Sequence, residues 1–207
     1  LSSKIRILKI NSNVFSGQTE LVSSADKENK LSHKGIVIWM TGYSGSGKTT
    51  LAYNLEKRLF DEGILTKVLD GDVLRLGLNK DLGFSMEDRT ENIRRTAELA
   101  KQLASCGIVV ICSLITPTEN LRALAENIIG EQHFILYHIA TPMLVCEKRD
   151  VKGHYAKART GEMKNFTGVS NPFEEPKNAL YSLDTSTINI DDSVEILFND
   201  VFPLITI

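Results

Sequence analysis

Gly42, Gly47, Lys48 and Thr49 stand at the spacing G-x-x-x-x-G-K-[ST] inside TGYSGSGKTT, residues 41–50. An apolar run precedes the stretch and a helical pattern follows it, the context that a phosphate-cradling loop requires. Glycine lets backbone N–H groups turn inward around an anion, and the N-terminus of the following helix adds its positive end. Across Gly42, Tyr43, Ser44, Gly45, Ser46, Gly47, Lys48, Thr49 and Thr50 the residues therefore suit the triphosphate tail of a nucleotide. Lys48 reaches the β and γ phosphates, and the Thr49 hydroxyl joins the Mg²⁺ shell.

What happens to the nucleotide depends on carboxylates. The apolar run IVVICSLI (108–115) carries Cys112 and Ser113 where many hydrolases and motors with such loops place an acid. Asp70 and Asp72 instead end a neighbouring run in LDGD, with Gly71 allowing a sharp turn between them. Carboxylates at the carboxyl edge of a sheet orient or deprotonate an acceptor hydroxyl, or hold metal-bound water. That chemistry suits phosphoryl transfer to a small alcohol better than force generation. We expect Asp72 at the hydroxyl or its metal with Asp70 in support; which of the two acts as base stays open.

These groups need a scaffold, and the apolar pattern describes one. IVIWM (36–40), TKVLD (66–70), IVVICSLI and FILYHIA (134–140) read as strands buried on both faces, alternating with helices. Leu51, Leu55 and Leu59 mark one helix face, and Ile93, Ala97, Ala100 and Ala104 another, which Ser85 caps. Thr118 and Thr141 with Pro142 read as further helix starts, and a strand near YSLDTS and a helix over 193–202 close the chain. The order predicts a parallel three-layer α/β sheet. Residues 1–34 read as an N-terminal arm with Ser23 or Ser24 as a helix cap, 35–207 as one domain, and 150–176 as a basic lid or loop.

A length of 207 residues favours a single domain, and 24 Lys and Arg against 26 Asp and Glu leave no global field for nucleic acid or an acidic membrane. Cys106, Cys112 and Cys146 lack metal-ligand spacing and read as reduced core thiols. The four histidines have no ligand partners at metal spacing. Without a membrane-spanning run or a secretory signal, the expected location is cytoplasmic. The chain opens on Leu1 and not methionine, so an upstream start is expected.

DGDVLRLGLNKDLGFSMEDRTENIRR, GYSGSGKTT, KGHYAKAR and NFTG together resemble the adenylylsulfate kinase family, from about residue 12 to the last helix. The resemblance implies an α/β, three-layer P-loop kinase fold with a parallel five-stranded sheet and a basic lid. It implies ATP and Mg²⁺, with Thr49 and Asp72 on the metal side, adenosine 5′-phosphosulfate as acceptor of a phosphoryl group at its 3′-hydroxyl, and commonly a homodimer. Lys48, Asp70 and Asp72 become the catalytic group. Arg75, Arg89, Asn92, Ile115 and Thr116 become acceptor contacts, Phe84 and Phe166 a sandwich around its adenine, Lys152 a lysine near both substrates and Arg159 an ATP-side arginine. The residue types agree: guanidinium groups fork onto sulfate and phosphate oxygens, and aromatic faces stack on purines.

Two positions depart from the family pattern. Ile-Ser-Pro-x-Arg becomes Ile115, Thr116, Pro117, Thr118 and Glu119, and Val151 replaces the proline before the Lys-Gly pair. The family serine has been proposed as a phosphorylated intermediate; in-line transfer needs none, so Thr116 is expected to position and not to carry phosphate. The rival readings are another P-loop small-molecule kinase, against which the paired Phe84 and Phe166 argue, and a nucleotide-sensing module without turnover, against which Lys48, Asp70 and Asp72 argue.

Overall fold

The computed structural model describes residues 21–207, so most of the expected N-terminal arm lies outside the described residues. Five parallel strands form one sheet in the order β2-β3-β1-β4-β5. They are β1 (Val37–Thr41), β2 (Thr66–Asp70), β3 (Val109–Ser113), β4 (Phe134–Ile139) and β5 (Tyr181–Leu183). Among the described residues the helices are α1 (Ser24–Leu31), α2 (Lys48–Asp61), α3 (Gly71–Leu76), α4 (Met86–Ala104), α5 (Glu119–Ile129), α6 (Met143–Arg149), α7 (His154–Arg159) and α8 (Ile190–Ile205).

Alternation along the central strand builds both halves of the core, because successive side chains of a strand point to opposite faces. Ile38 and Met40 pack with Leu51, Leu55 and Leu59 of α2 and Leu197, Phe198 and Val201 of α8. Val37 and Trp39 pack with Ile93, Ala97 and Ala100 of α4 and Leu121 and Ala125 of α5. The small alanines let α4 lie close to the sheet. Parallel strands require a crossover after each one, so all the βα loops gather at one edge, and the functional residues gather with them.

The structure refines some local expectations and corrects others. The turn expected at Gly71 is the step from β2 directly into α3, and the Asp70 side chain caps that helix by accepting the Asp72 and Val73 N–H groups at 2.9 and 3.3 Å. Residues 73–76 continue this short helix, which the sequence pattern does not announce. The helix start expected at Thr141 with Pro142 is α6, with Pro142 at its N-cap position. The lid contains α7, which six residues without apolar repeat do not announce. α8 starts at Ile190, where Asn189 caps Asp192 N at 2.8 Å, and runs past Pro203 to Ile205. Cys112 and Cys146 are buried as expected, but Cys106 is exposed.

In the described part of the arm, Ser23 is the cap of α1, reciprocated by Asp26. Glu28 of that helix accepts the Gly35 N–H at 3.0 Å where the chain enters the sheet.

Candidate active site

A cleft of about 690 Å³ opens at the carboxyl edge of the sheet. The loop before α2, the start of α3, Phe84 with the first turns of α4, the turn after β3 and the lid segment 163–167 line it. This volume falls within the range for small-molecule sites.

On one side lies the glycine loop. Gly42 has φ of 146°, and a Cβ there would stand 2.4 Å from the Ile139 carbonyl oxygen, so the loop passes β4 at a distance that glycine alone permits. Gly47, at φ 102°, is the N-cap of α2 and turns the chain into that helix. Thr141 and Thr185 each donate a hydroxyl to the Ser46 carbonyl, at 3.0 and 2.8 Å, and so hold the loop from behind. The Lys48 ammonium donates to the carbonyls of Gly42 and Tyr43 at 3.0 and 2.6 Å and to Ser46 Oγ at 3.3 Å. Burial pushes its pKa down to about 8.

The two aspartates occupy different surroundings. Asp70 is buried; its Oδ2 accepts the Thr49 hydroxyl at 2.8 Å, and Ser113 Oγ lies 3.3 Å from the same hydroxyl. Asp72 is 63% exposed and paired with Lys152 of the lid. The structure thus brings Asp70, and not Asp72, to Thr49. Thr49, Asp70 and Ser113 form a cluster of hard oxygen donors that fits a divalent cation also bound to phosphates.

On the acceptor side, Phe84 is half-exposed and Phe166 buried, and both line the cleft. The Arg75 guanidinium lies 4.4 Å from the Phe84 ring centre and donates to the Leu82 and Gly83 carbonyls, which shapes the loop that presents Phe84. Arg89 donates to the Asn165 carbonyl and to Thr167 Oγ1, fastening α4 to the lid. Burial lowers the pKa of both arginines without removing their charge. Asn92 is buried and its Oδ1 accepts the Asn79 amide at 2.9 Å.

Ile115 and Thr116 line the same wall. Thr116 has φ of 40°, unusual for a β-branched residue, and its surroundings over-determine that geometry. Trp39 Nε1 donates to its Oγ1 at 2.9 Å, while Thr41 Oγ1 and Arg122 each donate to its carbonyl at 3.1 Å. A hydroxyl already accepting a buried indole N–H serves as a fixed contact. Thr116→Val therefore keeps measurable turnover while lowering stability by about 1–3 kcal/mol, the cost of stranding the Trp39 donor. Steady-state kinetics beside urea denaturation checks this; a phosphothreonine formed from ATP and discharged at the catalytic rate would overturn it.

Lys152 reaches the cleft, but Arg159 pairs with Glu147 at 2.9 Å, and its side chain is outside the lining. Arg149 is the arginine that meets the glycine loop, donating to the Gly45 carbonyl at 3.3 Å and to Thr185 Oγ1 at 2.8 Å. Sequence reading passed over it, and its place just before the Lys152-Gly153 pair was the available signal. His154 and Lys164 also line the cleft.

A family profile described as "Adenylylsulphate kinase" matches residues 34–184. The adenylyl-sulfate kinase of Phocaeicola vulgatus is 48% identical over 193 residues, covering 93% of this chain and 95% of the relative. That of Clostridium acetobutylicum is 49% identical over 177 residues, covering 86% and 88%. Among solved structures, the Mycobacterium tuberculosis APS kinase CysC in complex with AMPPNP and APS shares 44% identity at a TM-score of 0.77, covering 80% of this chain and 96% of its own.

Proposed function

Because the chain belongs to the adenylylsulphate kinase family, we propose that its cleft transfers the γ-phosphoryl of ATP to the 3′-hydroxyl of adenosine 5′-phosphosulfate, giving ADP and 3′-phosphoadenosine 5′-phosphosulfate for sulfate assimilation. One observation carries this reading beyond membership. A triphosphate loop and a wall of two phenylalanines and two arginines open into the same cleft, with Asp72 facing it. Two aromatic faces suit a purine, whose flat ring stacks on each.

Each residue has a task in this proposal. The loop amides and Lys48 hold the donor phosphates, and Lys48 neutralises charge that spreads over the γ-phosphoryl oxygens. Thr49 and Asp70 would hold Mg²⁺, an assignment supported by their 2.8 Å contact and by their oxygen chemistry. Bound there, the ion would draw charge from the β and γ phosphates. The expectation of Asp72 on the metal side gives way in this proposal to Asp70; Asp72, which faces the cleft and pairs there with Lys152, orients the acceptor hydroxyl and takes its proton. Arg75, Arg89 and Lys152 meet the phosphosulfate, while Asn92, Ile115 and Thr116 shape the wall around the nucleoside. Arg149 takes the ATP-side role that the resemblance implies for Arg159. The family resemblance extends the proposal to a homodimer working in the cytoplasm. No described helix is long and apolar enough to cross a membrane.

An acceptor screen with Mg-ATP tests the function, scoring ADP release for adenylylsulfate, AMP, gluconate and shikimate. Adenylylsulfate alone gives fast release; rapid release without acceptor, or with gluconate, overturns the assignment. The stacking wall has its own test. Loss of a base-stacking ring is worth about 1–3 kcal/mol, so Phe84→Ala or Phe166→Ala weakens adenylylsulfate binding about 5- to 100-fold by calorimetry. Phe84 is the cleaner probe, because Phe166 also packs on Tyr155 and Cys146. Unchanged affinity in both variants would leave the rings as packing alone.

A further inference from the structure

The lid meets the glycine loop at two aromatic side chains, Tyr155 and Tyr43. Tyr155 of α7 is buried, donates its phenolic O–H to the Ser44 carbonyl at 3.0 Å, and meets Phe166 edge-on with ring centres 4.9 Å apart. Tyr43, next to Ser44, packs against Phe173 with centres 4.8 Å apart, and a Cβ on Gly168 would come within 3.0 Å of the Tyr43 ring. The lid therefore touches the glycine loop at consecutive residues, and Tyr155 joins one of them to Phe166.

We infer that Tyr155 is a positioning residue through which an occupied donor loop sets the acceptor wall, so that donor binding tightens acceptor binding. A trans peptide points its C=O and N–H in opposite directions. The peptide joining Ser44 to Gly45 thus aims the Gly45 N–H away from Tyr155 whenever the Ser44 carbonyl faces it. Gly45 lines the cleft and sits at φ 77°, a conformation that glycine enters and leaves at little cost. An anion that fixes the Gly45 N–H also fixes the Ser44 carbonyl toward the phenol. That holds the Tyr155 ring, and the ring edge holds Phe166, the face on which the purine rests. Each substrate in turn favours the same loop orientation, which makes the coupling reciprocal.

This inference rests on the reading of Phe166 as part of the adenylylsulfate site. Calorimetric titration of adenylylsulfate with and without saturating Mg-AMPPNP tests it in the parent and in Tyr155→Phe, which removes the O–H and keeps the ring. The parent tightens about 5-fold or more when the donor site is filled, and by linkage adenylylsulfate tightens AMPPNP by the same factor. In Tyr155→Phe both factors fall to within about twofold of one, while adenylylsulfate alone binds within about threefold of the parent, since the lost bond is a single neutral one. A general loosening of the fold would weaken both ligands without bringing their shared coupling factor to one. Equal coupling in parent and variant, or no coupling in the parent, overturns the inference and leaves the acceptor reading standing. A parent that does not bind adenylylsulfate overturns both.

Discussion

Lys48→Ala lowers kcat at saturating substrates by about 10²- to 10³-fold, the scale on which a preorganised charge at a transition state acts. The donor is not lost in proportion. In the proposed site backbone N–H groups would supply most of the loop's hold on phosphate, and the loop's geometry is fixed by Gly42 against Ile139 and by Thr141 and Thr185 behind Ser46. The ATP KM therefore rises by much less than kcat falls, because the ammonium acts chiefly on charge that grows on the γ-phosphoryl. Rapid-quench measurement of phosphoryl transfer in the variant checks the split, and a kcat near the parent's would remove Lys48 from the chemistry.

Charge on Lys48 also sets a pH dependence. Burial moves its pKa from 10.5 down to about 8, and phosphate needs the protonated form. ATP affinity thus falls as pH rises through about 8, a slope that Lys48→Met abolishes. The folding linkage has the opposite sense: between about 8 and 10.5 the unfolded chain binds more protons, so this group's contribution to stability grows with pH across that window.

Much of the donor side was legible because it is local. A glycine loop between a strand and a helix is written in ten consecutive residues, and the Leu51, Leu55, Leu59 repeat places its helix. The four longer strands stand out as continuous apolar runs because both faces are covered. The lid was harder to read. α7 buries two of its six residues, Tyr155 and Ala158, too few to show a period. Its organising contacts are long-range: Tyr155 to Ser44, Arg89 to Asn165 and Thr167, and Glu174 accepting the Glu119 N–H at 2.7 Å.

Arginines posed a similar difficulty. Arg149 and Arg159 are ten positions apart in one basic stretch, and which of them faces the loop depends on where α6 ends and α7 begins. Thr116 showed as a departure from a family pattern, yet its left-handed backbone and its bond to Trp39 depend on a side chain 77 residues away. The roles of the aspartates were unreadable for the same reason, since LDGD does not reveal that one carboxylate turns inward to cap α3 while the next faces the cleft.

That division makes Asp72→Asn the sharpest test of the chemistry. The substitution keeps size and shape but removes both charge and basicity, so kcat falls about 10²-fold or more, the usual scale for losing a positioned general base. The fold should be nearly indifferent to it. Asp72 is largely exposed, and its ion pair with Lys152 joins two side chains in contact with solvent, an arrangement worth about 1 kcal/mol at most. Asp70 behaves differently: its carboxylate holds the Thr49 hydroxyl and the first amides of α3. Asp70→Asn should therefore raise the concentration of divalent metal needed for half-maximal rate, whereas Asp72→Asn should leave that concentration near the parent's. Measuring kcat against metal concentration for both variants, beside their melting temperatures, separates the roles. An Asp72→Asn enzyme that keeps its kcat, or that recovers it merely with more metal, would move the base elsewhere and place Asp72 with the metal.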